Sequence, residues 1–200
     1  MIRSGEVAAA VERAINENYL QDERASAEDY TGNLLLVKDI VTRYLRGGVM
    51  PYDAAHDAFA VSGLEERVAY SFPFRAGERE LEMKFGGIAD RIDMLGDGAL
   101  RVVDYKTGAP HLEFDGVESL FTGTGKQRLS NILQTLLYSM ILHHTRLGVR
   151  GARYTLYRER FEELLRAQLA EMYDPAVPFR QCEDADTCKF CDFRIICKRG

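Results

Sequence analysis

Apolar residues recur at intervals of three and four over residues 5–20, where Val7, Ala10, Val11, Ala14 and Ile15 share one stripe. That spacing predicts an amphipathic helix, with Ser4 placed to cap its start. A polar stretch over 21–30 follows. A second helical pattern covers 33–45, built on Leu34, Val37, Ile40, Val41 and Tyr44. Gly47 and Gly48 are expected to stop it. Both stripes read as core-packing surfaces.

From Glu65 the period falls to two. Val68, Tyr70, Phe72 and Phe74 alternate with mostly polar neighbours, which predicts a strand. Gly77 marks a turn into a second strand over 80–95, interrupted by Gly86 and Gly87. Gly96-Asp97-Gly98 is a hairpin connection into a third strand over 100–105, ended by Thr107 and Gly108. The three strands are expected to run antiparallel. Periodicity weakens over 109–125, a loop that includes the turn Gly123-Thr124-Gly125. A strong helical pattern returns over 131–147, with Leu133, Leu136, Leu137, Met140 and Ile141 as its apolar surface. Residues 151–158 alternate like a strand, 162–171 resemble a peripheral helix, and the tail over 175–200 is irregular.

Two hundred residues suffice for one domain with a core sheet and several packed helices. A formal net charge of −5 argues against a chain that sheathes DNA by its own charge. It leaves room for an acidic site supplied with a strand by a larger assembly. No apolar run is long enough to span a bilayer, so no membrane partner is expected. Glu6, Glu12 and Glu17 interrupt the first twenty residues, unlike a signal peptide, and the expected location is cytoplasmic.

The chemistry concentrates in the second and third strands. Asp104 and Lys106 lie two apart and so point to one side of their strand. Pairing through the turn at 96–98 brings Asp90 beside Asp104, since antiparallel neighbours sit roughly 5 Å apart. Two close carboxylates repel unless a proton or cation reconciles them. Oxygen ligands of this kind suit Mg2+ or Mn2+, which can polarise a phosphodiester and activate water. Lys106 would orient or activate that water. The alternative is a solvent-facing ion pair in a hairpin.

The segments Gly87-Ile88-Ala89-Asp90 and Asp104-Tyr105-Lys106 resemble those of the PD-(D/E)XK nuclease superfamily. The similarity is to its RecB-like exonuclease branch, and most of all to the C-terminal nuclease domain of AddB-like helicase–nucleases. The resemblance spans roughly residues 30–200. It implies an α/β fold of restriction-endonuclease type, a central mixed β-sheet flanked by helices. It also implies Asp90 and Asp104 as metal ligands, Lys106 as the catalytic lysine and the Tyr105 carbonyl as a further ligand. Glu65 matches an acidic residue often near the metal. Gln134 and Tyr138 match a Gln-x-x-x-Tyr motif, and their spacing puts them on one helix face; the resemblance implies catalytic or DNA contacts for them, and the alternative is an ordinary half-buried polar pair. Lys126 and Arg128, ahead of that helix, are candidates for phosphate contact or for simple solvation of a loop.

All four cysteines fall in the last nineteen residues, as Cys182-x5-Cys188-x2-Cys191-x5-Cys197. Four thiolates could hold zinc or a [4Fe-4S] cluster, shielded by Phe190 and Phe193; free thiols or disulfides are the alternative. The resembled branch often carries an iron–sulfur staple whose last three cysteines have the spacing of Cys188, Cys191 and Cys197. Its fourth cysteine comes from far upstream, where this chain has none. The cluster is therefore expected to be incomplete or absent here, and residues 1–200 to be one nuclease domain of a longer polypeptide.

The function these resemblances imply is Mg2+- or Mn2+-dependent hydrolysis of DNA. It would be a single-strand exonuclease module in end processing and recombinational repair, partnered by a helicase domain or subunit. Two alternatives stand beside it: a catalytically inactive nuclease-like module that binds DNA or protein, and a cysteine-stapled structural domain.

Overall fold

The computed structural model describes residues 4–56, 58–106, 108, 113–122, 130–146, 152–178, 180–183, 185–189 and 191–198. Its residues form two compact units, Met1–Ala58 and Phe59–Gly200.

The first unit is helical. Helix α1 (Ser4–Ile15) buries Val7 and Val11 and runs into a wider turn over Asn16–Leu20. Tyr30 is buried beside it, and its hydroxyl donates to the Glu12 carbonyl at 3.1 Å. Helix α2 (Asn33–Tyr44) is tied to α1 by Lys38 and Glu12 at 2.6 Å. Two expectations fail here. Leu35, Leu36, Val37, Ile40, Val41 and Tyr44 are exposed, so the α2 stripe is not a core surface. Gly47 and Gly48 do not stop the helical path either. They lie in a widened turn, Leu45–Val49, which passes directly into α3 (Met50–Ala54). A wider turn absorbs the extra backbone freedom that two glycines bring without ending the hydrogen-bond ladder.

The second unit is built on the sheet. Strand β1 (Phe59–Ala76) pairs antiparallel with β2 (Arg79–Leu95), and β2 pairs antiparallel with β3 (Leu100–Val103). The sheet order is β1-β2-β3. Gly77 turns the first hairpin at φ +62°, in the left-handed region that favours glycine. In the second, Gly98 takes φ +80° and the Asp97 carboxylate accepts the Ala99 N–H at 2.9 Å. The alternation in β1 does what its period implies: Val68, Phe72, Phe74 and Ala76 are buried.

Two helices close the core on this sheet. After the short α4 (Ser119–Thr122) come α5 (Ser130–Thr145) and α6 (Ala152–Tyr173). Phe72 and Phe74 cluster with Leu136 and Met140 of α5 and with Tyr154, Phe161, Leu165 and Leu169 of α6. A second cluster joins Val68, Ala89 and Ile92 to Tyr138, Ile141 and Leu142 of α5. Where a strand was expected over 151–158, the described residues 152–158 are instead the start of α6, and Leu156, which an alternating strand would bury alongside Tyr154, is 79% exposed. The helix at 162–171 is part of the same element and central to the core. In the tail, α7 (Ala185–Cys188) is the one helix among the described residues. The α/β class expected from the sequence is the one observed, a central sheet flanked by helices and consistent with a restriction-endonuclease-like architecture. The described residues contain no helix long and apolar enough to cross a membrane.

Candidate functional site

Strand pairing puts the two aspartates together. Arg91 pairs with Val103, so Asp90 and Asp104 are the next residues along the β2–β3 ladder. The Asp90 Oδ2 accepts the backbone N–H of Tyr105 at 2.7 Å. Lys106 Nζ lies 2.6 Å from Asp104 Oδ2 and donates to Gln134 Oε1 at 3.1 Å. Gln134 Nε2 returns a hydrogen bond to Asp104 Oδ1 at 3.2 Å. Three side chains, two from the segment just past β3 and one from α5, thus close a ring. The hydrogen bond that Lys106 donates to Asp104 holds Lys106 above the usual lysine range; desolvation opposes it, and the charges of Asp104 and Asp90 reinforce it. Lys106 is therefore a fixed cation at neutral pH.

Tyr138 stands one helical turn beyond Gln134. It is 9% exposed, and its hydroxyl donates to the Ile88 carbonyl at 2.8 Å. Glu65 adopts φ +47° next to a bulge in β1, in the stretch between the pairs Leu64↔Arg91 and Glu66↔Ala89. Lys126 and Arg128 lie outside the described residues, as do Thr107 and the turn at 123–125.

The opposite face of the same hairpin carries a second charged cluster. Arg91 Nε and Nη2 grip Asp93 at 2.8 and 2.9 Å, and Arg101 Nε and Nη2 reach its Oδ2 at 2.9 and 2.7 Å. Both guanidiniums lie against the Phe59 ring, at 4.8 and 4.5 Å from its centroid. Arg91 Nη1 also donates to the Tyr105 hydroxyl at 3.0 Å. Asp93 has 0% exposure. Burial alone would raise its pKa, but the hydrogen bonds and charges of Arg91 and Arg101 outweigh burial and hold it below the usual carboxylate range. Strand alternation puts Arg91 and Asp93 on the face away from Asp90, and the sequence reading did not include Arg101. The signal was present, because the hairpin register pairs Asp93 with Arg101 directly. A third cluster had one local signal, the four-residue spacing of Glu162 and Arg166 on one helix. Glu162 on α6 meets His144 on α5 at 2.8 Å, Arg166 at 2.9 Å and the Tyr154 hydroxyl at 3.2 Å.

This geometry overturns the expected hydrolytic chemistry. Among the described residues no group of three or more His, Cys, Asp or Glu side chains converges to hold a metal ion. Asp90, Asp104 and Glu65 do not make the ligand set that Mg2+ or Mn2+ would require. Within that set the chain's own donors already engage Asp104 and part of Asp90: an ammonium and a side-chain amide hold the two Asp104 oxygens, and a backbone N–H holds Asp90 Oδ2. The expectation of a Mg2+- or Mn2+-dependent deoxyribonuclease is corrected accordingly. The zinc or [4Fe-4S] site fails on the same finding. None of Cys182, Cys188, Cys191 and Cys197 forms a disulfide; Cys188 is buried and the others are half-buried. Phe193, expected to shield a cluster, is 66% exposed, and Phe190 lies outside the described residues.

No curated protein and no solved structure matches the chain significantly. The family model described as the PD-(D/E)XK nuclease superfamily matches residues 3–198. On a match of that extent, over both the hairpin and the helix that complete the polar ring, the chain belongs to the PD-(D/E)XK nuclease superfamily.

Proposed function

We propose that this chain is a binding module on a nuclease fold, one that holds a single-stranded DNA segment at the β3–α5 edge without cutting it. The observation that carries the reading is the closed ring of Asp104, Lys106 and Gln134, with contacts of 2.6, 3.1 and 3.2 Å. A site arranged this way pairs Asp104 with an ammonium whose side chain is 36% exposed and can turn to a phosphate. Lys126 and Arg128, ahead of α5 in the sequence, are assigned to phosphates in this reading.

Order and spacing of Gly87-x-x-Asp90, Asp104-Tyr105-Lys106 and Gln134-x-x-x-Tyr138 support a place in the RecB-like branch. On that placement the module works within a larger DNA end-processing assembly, and a helicase domain or partner subunit delivers the strand. Delivery matters for a chain of net charge −5, because tethering raises the local strand concentration that charge alone would not provide.

Fluorescence polarisation of a labelled single-stranded oligonucleotide tests the proposal, in EDTA and in Mg2+ or Mn2+. Binding is expected in both, with the labelled strand intact after incubation. Lys106→Ala is expected to weaken binding and to lower the salt slope by roughly 0.7, the contribution of one phosphate contact on a single strand. Shortening of the strand in Mn2+ that disappears in Asp104→Ala would overturn the reading, and so would the absence of binding.

A further inference from the structure

Gly87 and Tyr138 belong to motifs about fifty residues apart, yet they touch. A Cβ on Gly87 would stand 2.6 Å from the Tyr138 hydroxyl oxygen, 3.1 Å from its Cε1 and 3.2 Å from its Cζ. The first distance is shorter than non-bonded carbon and oxygen tolerate, and the obstacle is a ring packed in a buried cluster rather than a free chain end. Only glycine lets the Tyr138 ring lie this close to β2. Its neighbour Gly86 meets different atoms, the Val68 carbonyl at 3.0 Å and the Ala69 Cβ at 3.2 Å, so its role belongs to strand pairing.

The close approach has a consequence for the helix. With the ring seated over Gly87, the Tyr138 hydroxyl reaches the Ile88 carbonyl at 2.8 Å, and Val68, Ala89, Ile92, Ile141 and Leu142 surround it. Gln134 lies four residues earlier on the same helix face, about 5–6 Å away. The seat of Tyr138 therefore fixes both the height and the rotation of α5 at Gln134. Gln134 in turn reaches Asp104 and Lys106 at 3.2 and 3.1 Å, distances with little slack for a hydrogen bond.

We propose that Gly87 and Tyr138 form one positioning lock that sets Gln134 over Asp104, so that Tyr138 acts on the site through helix α5 and not by touching the bound strand. This rests on the strand-binding reading for its function, but the lock itself is a property of the free protein. It reassigns Tyr138 from a contact residue to a positioning residue. It also gives the glycine of the Gly-x-x-Asp segment a mechanical role, making room for a side chain on another element.

The test follows the Gln134 side-chain amide by 15N NMR, assigned with Gln134→Ala, beside the oligonucleotide Kd. Tyr138→Phe keeps the ring and removes the hydroxyl. It is expected to shift the Gln134 amide, to speed its exchange with water and to raise the Kd about fivefold, the worth of one net hydrogen bond. Gly87→Ala is expected to move the same resonance in the Tyr138 background and to add less in the Tyr138→Phe background, where the tightest contact is gone and those to Cε1 and Cζ remain. An unmoved Gln134 amide in Tyr138→Phe, or effects of the two substitutions that multiply in the double variant, would overturn the lock. If no variant or wild-type protein binds the strand, the binding reading fails while the amide measurements still decide the lock.

Discussion

The β2–β3 hairpin carries one acid-and-base cluster on each face, and the two differ in how they treat an aspartate. On one face Asp93 is fully buried between two arginines, which supply four hydrogen bonds to its two oxygens. On the other, Asp104 sits nearer the surface with one lysine and one amide, and the Lys106 side chain is more than a third exposed. The buried cluster is made by the two strands alone, whereas the exposed one follows directly after β3 and takes Gln134 from α5. Burial separates their purposes. A charge removed from water must be matched donor for donor, whereas a half-exposed charge can exchange its partner for solvent. The first arrangement fixes the hairpin, and the second can be opened by a ligand.

The largest effect should come from the buried face. Asp93→Ala strands two guanidiniums in a buried site and is expected to destabilise the protein by about 3–5 kcal/mol, read as a fall in denaturant midpoint at unchanged slope. Loss of less than about 1 kcal/mol would mean that this cluster is as replaceable as the exposed one. Acid sharpens the same contrast. Because Asp93 is held below the ordinary carboxylate range, its contribution is fully present above the unfolded pKa and is lost as pH falls through the lower folded value. Wild-type stability should therefore drop steeply at low pH, and Asp93→Ala should flatten that drop.

The hairpin and its two faces were legible because everything that makes them is local. Period-two alternation sets the faces, glycine turns set the connections, and the resulting register places Asp90 beside Asp104 and Asp93 beside Arg101. Gln134 and Tyr138 were legible as a pair on one helix face, but not the ring that Gln134 closes, since its partners lie 28 and 30 residues away. The metal expectation failed for a related reason. Spacing shows that two carboxylates are close, and says nothing of whether the chain's own donors fill them first. Residues 151–158 misled through a different competition. Tyr154, Leu156 and Arg158 alternate, yet Tyr154, Phe161, Leu165 and Leu169 make the stripe that β1 buries, and packing against a distant strand outweighs a short local pattern.

On the exposed face, pH should matter in the opposite direction and in a different range. Lys106 is raised above the lysine norm, so what its charge contributes is present at neutral pH and is lost only as pH rises through that higher value. Strand binding measured between pH 6 and pH 9 should accordingly stay flat (roughly a unit and more below an ordinary lysine pKa). A fall in affinity across that window would place the decisive cation elsewhere.

The smallest change, Asp104→Asn, should divide the two faces most clearly. Asparagine keeps the side-chain shape and can still accept from Gln134, while Lys106, already part-exposed, can turn to water. The stability cost should stay below about 1 kcal/mol, against the several expected at Asp93. The local charge of Asp90, Asp104 and Lys106 goes from −1 to 0, which removes repulsion towards phosphate. Oligonucleotide affinity should then rise by about threefold at low salt, with the gain fading as salt is added. In a site that needed the carboxylate to engage the strand, the same substitution would weaken binding. The direction of that single change therefore decides whether the ring at Asp104 is a tethered counter-charge or a working acid.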